Sequence, residues 1–169
     1  KDLFTVGNAK PVLGAYLKTH IPRRVYPPGT VPAYSNYATA VAGYIVERIS
    51  GRAFDEYGTE NIMKPLKMSR STFAQPLPSE LAPLMSNGYR LGSGSAEAFE
   101  VVNPFPAGSL SSSATDMAQF MLAHLQDGQL GDARILKPET ARLMHSRLFA
   151  LHDAANAMSY GFYEESRNG

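Results

Sequence analysis

The sequence predicts a mainly α, α+β chain. Three observations carry that prediction: apolar residues recur at helical spacing in five segments, helix-starting and helix-stopping residues stand at the ends of those segments, and β-type runs are few and short. With 169 residues, 44% of them apolar, there is enough hydrophobic material for one core or for a share of a larger one. Residues 1–169 read as a single unit, without internal repeats or low-complexity tracts.

The first helix is expected over residues 8–19, where Val12, Leu13, Tyr16 and Leu17 share a face, Asn8 caps the start and Pro22 stops the run. The segment Tyr26-Pro27-Pro28-Gly29-Thr30-Val31-Pro32 suits neither helix nor central strand, because three prolines fix φ and remove donors. It predicts a stiff surface loop leading to Tyr34. The strongest helix is expected over residues 36–50, with an apolar stripe of Val41, Ala42, Ile45, Val46 and Ile49, a Ser35 cap and Gly51 at its end. A short helix over 54–63 is closed by Pro65.

Residues 71–73 and 86–91 read as short extended segments. Residues 98–102 are expected to pair with 86–91 in a hairpin tipped by Gly92-Ser93-Gly94-Ser95. Ser113-Ala114-Thr115-Asp116 has the form of a capping box, in which the serine accepts from a free amide and the carboxylate reaches back, ahead of an apolar helix from Met117 to Leu125 that Gly128 closes. Lys137-Pro138-Glu139 opens a last helix running through Ala141, Leu143 and Met144 towards His145.

Composition narrows the function. Sixteen basic and fifteen acidic side chains leave a charge near zero, so there is no electrostatic footprint for nucleic acid or for an anionic membrane surface. The absence of cysteine excludes disulfides, thiolate metal sites and a cysteine nucleophile. No stretch approaches the roughly 20 apolar residues of a membrane span, and Lys1-Asp2-Leu3-Phe4 lacks the apolar core of a signal peptide. Both ends read as cut. No phosphate-binding loop, H-E-x-x-H or EF-hand is present; Gly92 and Gly94 are followed by Glu97 where a dinucleotide-binding loop needs glycine. No G-x-S-x-G is present either. No cofactor is expected.

Tyr34-Ser35-Asn36 remains, at the junction of the proline-stiffened loop and the best helix. On an extended segment, side chains two apart project the same way, so the phenol and the carboxamide can face one cleft. A tyrosine can relay protons where cations favour its ionised form, and an asparagine can hold an amide by donating and accepting. By themselves the three residues also describe a capped helix beside a buried tyrosine.

The surroundings add a resemblance. Tyr26 to Ala38, followed by Val41-Ala42-Gly43-Tyr44-Ile45-Val46-Glu47-Arg48-Ile49-Ser50-Gly51, resembles the P-G-x-x-x-x-Y-S-N segment and helix of the class C-type β-lactamase family, which includes penicillin-binding D-alanyl-D-alanine carboxypeptidases and esterases. Ile62-Met63-Lys64-Pro65-Leu66-Lys67-Met68 is similar to its P-L-G-M segment, and Pro106-Ala107-Gly108-Ser109-Leu110-Ser111-Ser112-Ser113-Ala114-Thr115-Asp116-Met117-Ala118 to its P-A-G-G-L-x-S-T-A-x-D-M-A run.

The resemblance implies the helical region of a β-lactamase/transpeptidase-like fold, an internal fragment incomplete without the flanking antiparallel sheet. It implies a serine hydrolase working through an acyl-serine on β-lactam, D-Ala-D-Ala peptide or ester substrates, in a periplasmic or secreted bacterial protein. Tyr34 would be the catalytic base or proton relay and Asn36 would bind the substrate amide, while Ser35 is a helix cap. The family's nucleophile lies in S-x-x-K upstream and its third motif is a downstream K-T-G or H-x-G. None of these occurs here: no serine has lysine three places on, and Lys18-Thr19-His20 fits neither sequence nor order. The chain therefore has no nucleophile of its own and is expected to be inactive alone. The alternative is a non-catalytic binding or interaction module of β-lactamase-like shape.

Other candidates read as structure. His20, His124, His145 and His152 lie on different elements without i, i+4 pairing, so no metal site is expected. Met117, Phe120, Met121 and Met144 read as core or interface, and Glu164-Glu165 as a solvated pair without a partner. Helices left bare by truncation are expected to favour dimers or swapped assemblies.

Overall fold

The computed structural model describes residues 3–6 and 11–167. Helices hold 34% of the residues and the strands are short, so the chain is mainly α. The order is β1 (Phe4–Val6), α1 (Leu13–Thr19), α2 (Asn36–Ser50), α3 (Phe54–Gly58) running into a π turn (Thr59–Met63), a 3-10 turn (Ala82–Leu84), β2 (Glu100–Val102), α4 (Ala114–Leu125), β3 (Gln129–Leu130), β4 (Ala133–Arg134) and α5 (Pro138–Met144).

α1 is shorter than expected. Val12 is extended (φ −65°, ψ 115°) and 77% exposed, so it stands outside the helix, whose buried residues are Leu13 and Leu17; Asn8 lies outside the described residues. α2 has the expected bounds. Ser35 Oγ accepts from the Ala38 amide at 3.1 Å, and Gly51 ends the helix at φ 70°, a left-handed conformation that costs glycine little. Its buried face differs from the expected stripe. Ala40 is fully buried, with Tyr37, Val41 and Tyr44 packed around it, whereas Ile45 and Ile49 are 51% and 82% exposed. Apolar residues cover two arcs of this helix, and only the arc through Tyr37, Ala40 and Tyr44 meets the core.

The expected hairpin between 86–91 and 98–102 does not form. β2 pairs instead with β1, antiparallel, with Phe4 opposite Val102 and Val6 opposite Glu100. Val101 and Val102 are both buried, and successive strand residues point to opposite faces, so β2 needs cover on both sides. The exposed, polar 86–91 segment does not supply it. That segment closes a loop instead, through Glu97 N–H to Gly88 O at 2.8 Å and an Arg90–Glu97 ion pair at 3.1 Å, with Gly92-Ser93-Gly94-Ser95 as its exposed turn.

The capping box is half formed. Ser113 Oγ accepts from the Asp116 amide at 3.2 Å, but the buried Asp116 carboxylate does not turn back. It accepts from the Arg70 amide at 2.7 Å and from Ser71 Oγ at 2.8 Å, tying α4 to the strand-like residues 70–72, where Thr72 bridges Ser111. α4 ends at Leu125, with Gly128 (φ 85°) closing the turn beyond it through its N–H to the Ala123 carbonyl at 2.8 Å, and α5 begins at Pro138 as expected.

Two small cores share Phe73. One joins Leu13, Leu17, Ala40 and Phe105; the other joins Met63, Leu66, Met68 and Ala123, with Met117 and Phe120 against it. Phe54 stands edge-on to both Phe73 (5.1 Å) and Phe105 (5.9 Å). The accessible surface is 11905 Å2, whereas a compact chain of 18.4 kDa exposes roughly 8,200 Å2. The excess includes the outer faces of α2 and α4, where Ile49 and Leu125 are 82% and 77% exposed.

Candidate functional site

α1 sets the start of α2. Tyr37 Oη donates to the Leu17 carbonyl at 3.0 Å, so the first turn of α2 is bolted across the end of α1. The preceding loop is exposed and braced by Thr30 Oγ1 donating to the Pro27 carbonyl at 2.8 Å. Ser35, in extended backbone (φ −147°, ψ 111°), then carries Tyr34 and Asn36 on one side. Tyr34 Oη donates to Asn36 Oδ1 at 2.6 Å. Tyr34 is 74% exposed and Asn36 half-buried, so a phenol oxygen with free lone pairs and a carboxamide with free N–H donors meet at an open surface. Ser35 Oγ is occupied as the cap.

The structure thus brings together the two residues that the sequence singles out, with Tyr34 exposed in this chain rather than buried. Clefts lie elsewhere, among them one of about 580 Å3 beneath α3, lined by Asp55, Thr59, Met63, Ser69, Thr72 and Leu81, and one of about 410 Å3 between α4 and residues 145–164. Neither is lined by Tyr34 or Asn36.

The second cleft gathers residues that sequence reasoning left apart. His124, 7% exposed in the last turn of α4, and His145, exposed after α5, hold Nδ1 and Nε2 3.2 Å apart. Burial first, and the neighbouring His145 charge second, lower the His124 pKa below the ordinary histidine value. No local spacing announces this pair, because the residues are 21 positions apart and meet only when α5 folds back on α4. Glu164 is not a solvated residue without partner. Its carboxylate accepts from the Ala157 amide at 2.8 Å and pairs with Arg147 at 3.2 Å, while Glu165 pairs with Arg167 at 2.7 Å. His20 stacks on Tyr16 at 4.0 Å between centroids. Among the described residues no cluster of three metal-ligating side chains exists, and no helix is long and apolar enough to cross a membrane.

Comparison with known proteins identifies the family. Residues 8–169 match the Beta-lactamase family. The chain is 27% identical over 141 residues to penicillin-binding protein 4 of Amycolatopsis lactamdurans, covering 80% of this chain and 37% of that protein. It superimposes on the octameric penicillin-binding protein homologue of Pyrococcus abyssi with a TM-score of 0.60 and 27% identity, over 82% of this chain and 31% of that one. The chain thus spans about a third of the length of these relatives. The match runs from before α1 to past α5 and takes in the loop, the Tyr34–Asn36 pair and α4, so the chain belongs to the Beta-lactamase family.

Proposed function

We propose that this chain is the Tyr34–Asn36 portion of a serine hydrolase that acts through an acyl-serine intermediate on β-lactam, D-Ala-D-Ala peptide or ester substrates. The observation that carries the reading is the hydrogen bond of 2.6 Å between an exposed tyrosine and an asparagine at the start of α2. A phenol held by a carboxamide rather than buried in a core is placed to exchange a proton with an approaching nucleophile. The carboxamide keeps N–H donors to hold a substrate carbonyl. Family membership supports the hydrolase chemistry and a periplasmic or secreted setting. The nucleophile and its lysine are not in this sequence, so the isolated chain is inactive: a hydroxyl without a positioned base is a poor nucleophile.

The test is Tyr34→Phe in the full-length protein, with acylation followed by a labelled penicillin and by a p-nitrophenyl ester. The variant folds as the parent does, because Tyr34 is exposed in this chain, and acylates roughly 10²–10⁴-fold more slowly, the usual contribution of a positioned acid–base group. Acylation at the parental rate removes Tyr34 from the chemistry. A full-length sequence without S-x-x-K upstream and K-T-G or H-x-G downstream leaves the non-catalytic binding module instead.

A further inference from the structure

The His124–His145 contact lies outside the Tyr34–Asn36 site and is used by none of its chemistry. It joins two parts of the chain that otherwise meet around an open cleft of about 410 Å3. On one side is α4, with Phe120 at 4.5 Å from the His124 ring. On the other is the segment 145–164, from which Phe162 approaches both imidazoles, at 5.1 Å from His124 and 4.9 Å from His145. The segment is knitted to itself by the Phe149–Met158 bridge and the Arg147–Glu164 pair, and tied to the end of α5 by Tyr160 N–H to Met144 O at 3.1 Å.

A hydrogen bond between two imidazoles needs one nitrogen with a free lone pair, so at least one ring must be neutral. When both are protonated, each facing nitrogen is a donor, and two like charges stand 3.2 Å apart with one of them buried. We propose that the His124–His145 pair is a proton-operated latch that fastens segment 145–164 to α4 at neutral pH and releases it in mild acid.

The surrounding charges leave the latch to the imidazoles. The end of α4 contributes Asp127, which senses His145 and is held by Arg142 of α5 at 2.9 Å. The segment contributes Arg147, Glu164, Tyr163 and His152, the last accepting from the Ala154 amide at 3.1 Å within its own turn. Carboxylates, guanidiniums and phenols ordinarily hold one charge state between about pH 5.5 and 7.5. The direction is fixed by linkage. A histidine with a folded pKa below its unfolded value of 6.5 contributes stability that is complete above 6.5 and is lost as pH falls through the folded value.

The experiment is hydrogen–deuterium exchange of the full-length protein at about pH 7.5 and 5.5, corrected for intrinsic rates, with the α2 peptide 36–50 as internal reference. Protection of residues 158–162 is expected to drop several-fold relative to α2 in acid, in the direction that this linkage sets. His145→Gln keeps a hydrogen-bonding group near Nε2 that cannot be protonated; His145 is exposed, so the variant retains the fold, and the acid-induced drop should shrink without vanishing, because burial still opposes charge on His124. His152→Gln should leave the full drop in place. No acid-induced loss in the parent, an equal loss in His145→Gln, or disappearance of the loss in His152→Gln overturns the latch. A His145→Gln protein unprotected at both pH values also overturns it, because the contact is then structural only.

Discussion

α2 passes over Pro106 at Gly43, and this crossing gives a test of how the fold is held. A methyl carbon on Gly43 would lie 2.4 Å from Cδ and 2.7 Å from Cγ of Pro106. Helix propensity alone says that Gly43→Ala stabilises α2 by about 1 kcal/mol. The contact opposes it. Carbon atoms settle at roughly 3.5–4.0 Å, so the added methyl is more than about 1 Å too close. The pyrrolidine ring has no rotamer to escape into, and its neighbours Phe105 and Ala107 are buried at 2% and 5% exposure. Overpacking costs roughly 1–3 kcal/mol, and a rigid obstacle belongs at the upper end. Subtracting the propensity gain leaves a net loss of about 2 kcal/mol, roughly 30-fold in the folding equilibrium. Urea unfolding followed by far-ultraviolet circular dichroism measures it as a lower midpoint at unchanged slope. Gly14→Ala is the control: the atoms it meets, at 2.8–3.0 Å, are the far end of the Tyr44 side chain, which can swing aside, so its loss should stay under about 1 kcal/mol. A Gly43→Ala protein as stable as the parent refutes the argument that the Pro106 contact is rigid.

Two further substitutions probe buried hydrogen bonds. Gln75 holds Val102 from both sides, accepting from its amide at 2.7 Å and donating to its carbonyl at 3.1 Å, so Gln75→Ala strands two buried backbone groups and should cost roughly 2–4 kcal/mol in urea unfolding. Asp116→Ala removes the acceptor for the Arg70 amide and Ser71 Oγ and should cost about 3 kcal/mol, whereas Asp116→Asn, which keeps one acceptor oxygen, should cost about 1 kcal/mol, both read from thermal melts at pH 7.

Much of the helical framework was legible in advance because its signals are local. Ser35 and Gly51 mark the ends of α2 by what a serine hydroxyl and a glycine φ can do, and Pro138 marks the start of α5 in the same way. The Tyr34–Asn36 pairing was legible too, since extended backbone puts residues two apart on one side. Where a residue's role depends on a distant partner, the local reading failed. Asp116 has the spacing of a capping box, yet Arg70 and Ser71 offer its carboxylate two donors in a buried place, and two charge-assisted hydrogen bonds outweigh one to its own helix end.

The family, the position and bounds of α2, and the pairing of two side chains at its amino end follow from local residue patterns, because motif order, caps and i, i+2 geometry need no knowledge of distant contacts. Contacts between distant segments are what pair β2 with β1 rather than with 86–91, turn Ile45 and Ile49 outward, and bring His124 to His145. The physical reason is the same in each case. Several arrangements satisfy the local pattern, and burial and hydrogen-bond demands summed over residues far apart in the chain select one of them.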